Sequence, residues 1–126
     1  MVGCETADWV AQSGKQVIII EQLPQVATDV EIRTRKMLLR RLASQKVDII
    51  VNAKAEQFSK DKLVCSQGGV EFTIEGVDNI VLALGYRPNP AISKIQSAKV
   101  HKLGDCVEPR KALAAIHEGF LLGTRI

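Results

Sequence analysis

The sequence predicts an α/β fold, in which a parallel sheet carries helices and is followed by a small antiparallel meander. Two observations predict the parallel sheet. A helical pattern at Val2–Ser13 leads into an uninterrupted apolar strand at Val17–Ile20, and a second helix–strand pair of the same kind follows it. A third observation, a run of short alternating segments separated by turn residues, predicts the meander.

Composition limits the kinds of function that this chain can have. Its 126 residues are 46% hydrophobic, which is enough for one core, and its net charge of +3 is spread along the chain. A nucleic-acid binder would need a clustered basic face, and the apolar runs are too short to span a membrane. We therefore expect neither a nucleic-acid partner nor a membrane partner.

Three scattered cysteines, Cys4, Cys65 and Cys106, form neither a disulfide framework nor a metal-binding spacing. No secretory signal pattern is visible at the start of the sequence. We expect each cysteine to be a small core residue, in a protein of the reducing cytoplasm that has no metal site.

The first helix and strand have the pattern of the back half of a dinucleotide-binding βαβ unit. The full fingerprint is a strand, then Gly-x-Gly-x-x-Gly at the start of a helix, then an acid about twenty residues later. Glu21 stands at the carboxyl end of the predicted strand, and Gly3 can be the last glycine of the fingerprint. The first strand and the two earlier glycines would then precede Met1, so the chain looks cut inside the motif. The alternative is a helix that simply packs on a parallel strand.

The second helix, predicted at Val30–Gln45 with Thr28 or Asp29 as its N-cap, is basic and amphipathic, as is typical of a solvated surface helix. Alternatively, Arg33 or Arg35 lies near the ribose end of a bound dinucleotide. The carboxylate of Glu21 would accept hydrogen bonds from ribose hydroxyls and repel a 2′-phosphate, so NADH is favoured over NADPH.

The remaining strands follow in order. A buried strand is predicted at Val47–Val51, and the strands of the meander at Ala55–Phe58, Lys62–Cys65 and Val70–Ile74. Another buried strand is predicted at Asp78–Leu84.

The loop after this strand opens with Gly85 and continues with Tyr86-Arg87-Pro88-Asn89-Pro90. The glycine permits a sharp exit and a close approach of the backbone to a ligand, and the prolines prevent continuation of the strand.

The C-terminal part begins with an irregular link at residues 91–99 and a short strand at Val100–Leu103. Gly104 and Asp105 follow, and a helix begins at Lys111. This order places a carboxylate beside the free N–H groups of a helix N-terminus, where hydroxyls and an anion or ring edge can bind. The alternative is that Asp105 only caps or braces its loop.

Three motifs occur in a fixed order: Val2–Ala7, Ala83–Asn89 and Leu103–Ala112. Together they resemble the C-terminal half of the NADH:flavin oxidoreductases related to 2,4-dienoyl-CoA reductase and trimethylamine dehydrogenase, over nearly the whole chain. The resemblance implies a longer protein with an FMN-binding barrel, a 4Fe-4S cluster and two nucleotide-binding domains of the pyridine nucleotide-disulfide reductase type. In such reductases hydride passes from NAD(P)H to FAD, and electrons then reach FMN, which reduces an activated alkene.

The resemblance also implies domains and residue roles. Residues 2–98 would be an incomplete, Rossmann-like NAD(P)-binding domain that lacks its first strand, and residues 99–126 the last strand and helix of an FAD-binding domain. Gly85 would lie near the NAD(P) ribose. Gly104 and Asp105 would bind the ribityl or pyrophosphate region of FAD, and Lys111 and Ala112 would face the pyrimidine edge of the flavin. No catalytic side chain is expected, because nicotinamide and flavin exchange hydride directly.

Without the first strand, the strands at Val17 and Val81 would each carry unpaired backbone groups, which is costly and favours aggregation. We therefore expect a partner to fill the gap, either the N-terminal part of a longer enzyme or a second copy in a strand-exchanged homodimer. The alternative function is a non-catalytic nucleotide-binding or interaction module.

Overall fold

A computed structural model describes residues 1–89 and 99–126, and it confirms the predicted α/β class. The described elements form two compact units, residues 1–83 and residues 84–126. In chain order they are α1 (Val2–Gln12), β1 (Ile18–Ile20), α2 (Ile32–Ser44), β2 (Asp48–Ile50), β3 (Ala53–Ser59), β4 (Lys62–Gln67), β5 (Val70–Ile74), a 3₁₀ turn (Gly104–Cys106) and α3 (Ala112–Gly123).

The two apolar strands pair in parallel, as predicted. Ile18 stands opposite Asp48 and Ile20 opposite Ile50, and α2 forms the crossover between the strands. The backbone N–H of Glu21 donates to the carbonyl oxygen of Ile50 at 2.9 Å, so the pairing continues one residue beyond β1. Glu21 is thereby fixed at the carboxyl edge of the parallel pair.

The meander is also confirmed: β3 and β4 are longer than predicted, and β5 has the predicted bounds. β3, β4 and β5 form an antiparallel sheet in that order, and a bulge interrupts β3 between Ala55 and Gln57. Cys65 on the central strand is fully buried and pairs with Ala55 and Phe72.

The core of the first unit lies between the two helices and the parallel strands. Its buried residues from the helices are Cys4 and Ala7 of α1 and Leu38 and Leu42 of α2. Leu38 and Leu42 are one turn apart on the apolar stripe that the sequence predicts.

A polar contact also joins the two helices. Asp8 is only 7% exposed, and its carboxylate accepts hydrogen bonds from Arg41 Nε and Gln45 Nε2, each at 2.9 Å. Burial alone would raise the pKa of Asp8, but these hydrogen bonds and the Arg41 charge outweigh burial and lower it.

Two predicted strands are wrong. Neither Asp78–Leu84 nor Val100–Leu103 forms a strand. A strand exists only as part of a hydrogen-bonded ladder, and no strand among the described residues pairs with either segment. The apolar run at Ile80–Leu84 instead has no regular secondary structure and is exposed.

The predicted cap of α2 is also wrong. The N-cap of this helix is Glu31 rather than Thr28 or Asp29. The Glu31 side chain accepts hydrogen bonds from the backbone N–H groups of Arg33 and Thr34. The helix consequently begins at Ile32. The link predicted at residues 91–99 lies outside the described residues except for Lys99, and the domain boundary predicted at residue 98 stays a prediction.

Candidate functional site

The first part of the candidate site is the acid at the carboxyl edge of the parallel pair. The carbonyl oxygen of Glu21 accepts a hydrogen bond from the backbone N–H of Ala53 at 3.0 Å, which ties it to the start of β3. Its Oε1 accepts the backbone N–H of Leu23, also at 3.0 Å. Within the described residues Oε2 accepts no hydrogen bond. Glu21 is half-buried, and the Leu23 N–H fixes its carboxylate through Oε1. Oε2 can therefore accept a hydrogen bond from a ligand hydroxyl.

Gly3 lies in the first turn of α1. A Cβ built on Gly3 would lie 3.0 Å from the Cβ of Ala83, which is tighter than nearly all real Cβ contacts. The glycine therefore lets α1 approach the segment that contains Ala83. Two residues further along the chain this segment reaches Gly85.

The Glu21 carboxylate affects the pKa of Cys4 in the first turn of α1. Burial raises the pKa of the Cys4 thiol, the N-terminal ammonium lowers it, and the carboxylates of Glu21 and Asp29 raise it again. Cys4 of α1 and Ile19 of β1 pack in the same core, so the strand that ends before Glu21 lies against the first turn of α1. Gly3 adjoins a core residue of α1 and Glu21 follows β1, and the assignment of both to one dinucleotide site stays a prediction.

The second part of the candidate site lies in the second unit. A cavity of about 240 Å³ is lined by residues from two of the three sequence motifs: Tyr86, Arg87, Asn89, Asp105, Cys106 and Pro109. Gly85, with a φ of +83°, turns the chain just before Tyr86. Two segments that are 15 or more residues apart in the sequence therefore share one pocket.

The turn that carries Asp105 is held in place on one side of this cavity. Gly104 has a φ of +64°, and a Cβ on it would lie 3.3 Å from the Cβ of Ala115. Asp105 Oδ1 accepts the backbone N–H of Arg110 at 3.2 Å, so the predicted bracing role is observed. No hydrogen bond to Oδ2 occurs among the described residues, and bracing is therefore compatible with ligand binding through that oxygen.

The helix predicted from Lys111 begins one residue later. Lys111 is the N-cap of α3, with an extended backbone, and Ala112 is the first helical residue. A lysine side chain has no acceptor atom, and no side-chain cap closes this helix end. Backbone N–H groups at an uncapped N-terminus attract anions and electron-rich ring edges.

Several cavity residues were not predicted as site residues. Tyr86, Arg87, Asn89, Cys106 and Pro109 each stand within four residues of a predicted one, so the motifs themselves could have identified them. Glu118 could not be found in this way. Its Oε2 accepts the backbone N–H of Gly104 at 2.7 Å across fourteen positions of sequence.

One basic residue of α2 has a structural role. Arg35 Nε donates to the carbonyl oxygen of Val26 at 2.8 Å and so holds the loop that follows Glu21. Val26 itself is buried in the core. This contact explains the position of Arg35 without a bound dinucleotide.

The cysteines confirm the prediction in two of three cases. Cys4 and Cys65 are buried, and burial raises the pKa of both thiols. Cys106 is only half-buried; it lines the cavity and donates a hydrogen bond to the carbonyl oxygen of Leu103. Among the described residues, no group of three His, Cys, Asp or Glu side chains could hold a metal ion, and no helix is long and apolar enough to cross a membrane.

Comparison with known proteins gives relatives that are named as reductases. The chain is 26% identical over 127 residues to a bilirubin reductase from Mediterraneibacter gnavus, covering 96% of this chain and 19% of the relative. It is 32% identical over 89 residues to a cinnamate reductase from Clostridium sporogenes, covering 68% of this chain and 13% of the relative.

Among solved structures, a 2-naphthoyl-CoA reductase in complex with 2-naphthoyl-CoA matches with a TM-score of 0.80 and 30% identity. That match covers 98% of this chain and 19% of the reductase. The matches thus cover only 13–19% of the length of these proteins. The pyridine nucleotide-disulphide oxidoreductase family matches residues 1–108, which is most of the chain. The chain belongs to the pyridine nucleotide-disulphide oxidoreductase family.

Proposed function

We propose that this chain is the nicotinamide-dinucleotide-binding part of a flavin-dependent oxidoreductase, in which hydride passes from NAD(P)H to FAD. The observation that carries the proposal is the shared cavity, where the loop after Gly85 and the turn with Asp105 meet. Membership of a pyridine-nucleotide family supplies the class of cofactor. Residues 2–98 would bind the nicotinamide dinucleotide and residues 99–126 would contribute to FAD binding.

The nicotinamide dinucleotide would lie at the edge that carries Gly3 and Glu21, with Gly85 near its ribose. One carboxylate oxygen of Glu21 is held by the N–H of Leu23, so the charge stays at the end of β1. A fixed carboxylate accepts the two hydrogen bonds of a ribose diol and repels a 2′-phosphate. NADH is therefore the preferred donor over NADPH.

FAD would be held by Gly104, Asp105, Lys111 and Ala112. These residues fit part of the cofactor, because Asp105 Oδ2 can accept a ribityl hydroxyl and the uncapped start of α3 can face the pyrimidine edge or a phosphate. When bound, FAD supplies the two-electron acceptor. The role of this chain is to orient the cofactors and exclude water, so no catalytic acid, base or nucleophile is assigned.

In the whole enzyme, FMN and a 4Fe-4S cluster would carry the electrons onward to an activated alkene, as in 2,4-dienoyl-CoA reductase. Bilirubin, cinnamate and 2-naphthoyl-CoA, the compounds named for the relatives, all contain conjugated double bonds. The three cysteines are free, which fits a reducing cytoplasmic setting.

An additional strand would complete the parallel sheet. Val17 and Glu21 direct their hydrogen bonds toward β2, so Ile18 and Ile20 present their N–H and C=O groups to the opposite side. Ile80–Leu84 is a second unpaired apolar segment. The strand would come from the N-terminal part of a longer enzyme or from a second copy of this chain in a strand-exchanged homodimer.

One set of observations favours a second function, a non-catalytic interaction module. Large apolar side chains are exposed on the segment Ile80–Leu84 and on α3, where they are Leu113, Ile116 and Phe120. Exposed apolar surface of this kind is typical of a contact surface for another protein.

The two functions are separated by titrating the purified chain with NADH, NADPH and FAD, using calorimetry and flavin absorbance. Micromolar binding of NADH, weaker binding of NADPH and a shifted flavin spectrum would support the oxidoreductase function. Absence of binding to all three cofactors would refute it for this chain and leave the interaction module.

A further inference from the structure

Glu118 lies on the face of α3 that contacts the turn at Gly104–Cys106. Ala115, three residues earlier on the same face, stands 3.3 Å from the position that a Cβ on Gly104 would occupy. The Glu118 side chain is 31% exposed, so it is partly shielded from water. Glu118 can therefore form hydrogen bonds with residues of this turn.

Each oxygen of Glu118 holds a different neighbour of Asp105. Oε2 accepts the backbone N–H of Gly104, the residue before Asp105, at 2.7 Å. Oε1 forms an ion pair with the guanidinium of Arg110, whose own backbone N–H donates to Asp105 Oδ1 at 3.2 Å. The carboxylate of Glu118 thus fixes Asp105 from both the backbone side and the side-chain side.

This arrangement restrains the two motions that would misplace Asp105. The hydrogen bond to Gly104 holds a residue in the left-handed region, at a φ of +64°, and so fixes where the main chain of Asp105 begins. The pair with Arg110 holds the residue whose N–H binds Oδ1, which limits rotation of the Asp105 side chain, while Oδ2 accepts no hydrogen bond from the described residues. Restraint of this kind lowers the entropy lost when a ligand binds.

We propose that Glu118 is a positioning residue for flavin binding: it orients Asp105 toward a ribityl hydroxyl of FAD and makes no contact with the cofactor itself. The inference rests on the proposed function, because it takes FAD as the ligand of Asp105. Charge-assisted hydrogen bonds of this length are among the stronger contacts of a protein, and their loss is measurable in ligand affinity.

The test compares three variants of the full chain: Glu118→Ala, Glu118→Gln and Glu108→Ala. The last is the matched control, since the Glu108 side chain also pairs with Arg110, at 3.5 Å, but is 69% exposed and accepts nothing from the Gly104 N–H. The hydrogen bond from the backbone N–H of Glu108 to the carbonyl oxygen of Gly104, at 3.1 Å, does not involve the side chain and is retained in Glu108→Ala. Two readouts are needed, the affinity for FAD from flavin absorbance and the hydrogen-exchange rate of the Gly104 amide from NMR.

Glu118→Ala is expected to weaken FAD binding at least about tenfold and to accelerate exchange of the Gly104 amide by a similar factor. Glu118→Gln, which keeps an acceptor for Gly104 but loses the pair with Arg110, should fall between wild type and Glu118→Ala. In an Asp105→Ala background, Glu118→Ala should cause little further loss of FAD affinity, because the two residues act through one contact.

Equal effects of Glu118→Ala and Glu108→Ala on both readouts would overturn the inference. So would a full additional loss of affinity in the Asp105→Ala background, since Glu118 would then act independently of Asp105. If wild type does not bind FAD, the proposed function fails for this chain. If the Gly104 amide then exchanges faster in Glu118→Ala but not in Glu108→Ala, Glu118 only braces the turn. The assignment of Glu118 to flavin binding would be overturned together with the proposed function.

Discussion

The Cβ that Gly3 lacks would lie 3.0 Å from the Cβ of Ala83. At this contact the first turn of α1 packs against the segment that leads to Gly85. Gly3, which the sequence predicts as the last glycine of the fingerprint, permits close packing of a helix on a neighbouring segment.

Gly3→Val is expected to destabilise the chain by about 1–3 kcal/mol, because the branched side chain would overlap Ala83 and force α1 away. The free energy of unfolding in urea measures the effect. Ala83→Gly should restore a large part of the loss in the double variant, because it removes the methyl group that the introduced side chain would meet. An equal cost of Gly3→Val in both backgrounds would show that the contact with Ala83 is not the cause.

The Asp8 contact predicts an acid-sensitive component of stability. Because hydrogen bonds from Arg41 and Gln45 lower the pKa of the folded carboxyl, the stabilisation is present above the unfolded pKa, about 3.9. It is lost as the pH falls through the lower folded pKa. Asp8→Asn should reduce stability at neutral pH by about 1–3 kcal/mol and flatten the acid side of the profile.

Urea unfolding between neutral pH and acid measures this profile. Glu5→Gln is the control, since Glu5 lies on the exposed side of the same helix. A profile for Asp8→Asn as steep as that of wild type would assign the acid sensitivity to other carboxyls.

The acid at the end of β1 predicts cofactor preference. Glu21→Gln removes the charge that repels a 2′-phosphate but keeps an acceptor for the Leu23 N–H and a ribose hydroxyl. The ratio of NADPH to NADH affinity should rise about tenfold, measured by calorimetry. Glu71→Gln on β5 is a charge-matched control at an exposed site. An unchanged ratio would mean that Glu21 does not meet the ribose.

The apolar segment at Ile80–Leu84 predicts self-association. Leu82 is 76% exposed, so Leu82→Lys should not disturb the fold of a monomer, yet it should abolish pairing of this segment with another strand. Sedimentation velocity over a range of concentrations should show a dimer for wild type and a monomer for the variant. Val70→Lys, at a side chain that is 69% exposed in the meander, should leave the dimer intact.

A monomeric wild type at every concentration would refute the homodimer. Completion of the sheet would then depend on the N-terminal part of a longer enzyme. Loss of the dimer in Val70→Lys as well would mean that the association is not specific to the segment Ile80–Leu84.

Periodicity predicted those elements whose stability is local or comes from an adjacent segment. α1, α2, α3 and the meander follow from helical spacing, turn residues and pairing between neighbours in sequence. The pair β1–β2 follows because a single helix separates its strands. The strand predicted at Asp78–Leu84 failed for the opposite reason, because its sequence is suitable but a ladder also requires a neighbour.

The site was predictable to the same degree. Glycines and acids at fixed spacing predict Gly3, Glu21, Gly85 and Asp105 as site residues, and of these Asp105 lines the cavity while Gly85 directly precedes the lining residue Tyr86. Spacing contains no information on side-chain contacts across a turn. A glutamate in the middle of an amphipathic helix is usually solvated, and only the fold shows that Glu118 reaches Gly104.

The central claim is that one edge of this chain binds the nicotinamide dinucleotide and the Asp105 turn binds FAD. Two-dimensional NMR of the labelled chain, titrated with NADH and then separately with FAD, tests it most directly. NADH is expected to shift the amides of Gly3, Glu21 and Gly85, and FAD those of Gly104, Asp105 and Ala112. Shifts confined to the meander, or no shifts at saturating cofactor, would contradict the claim.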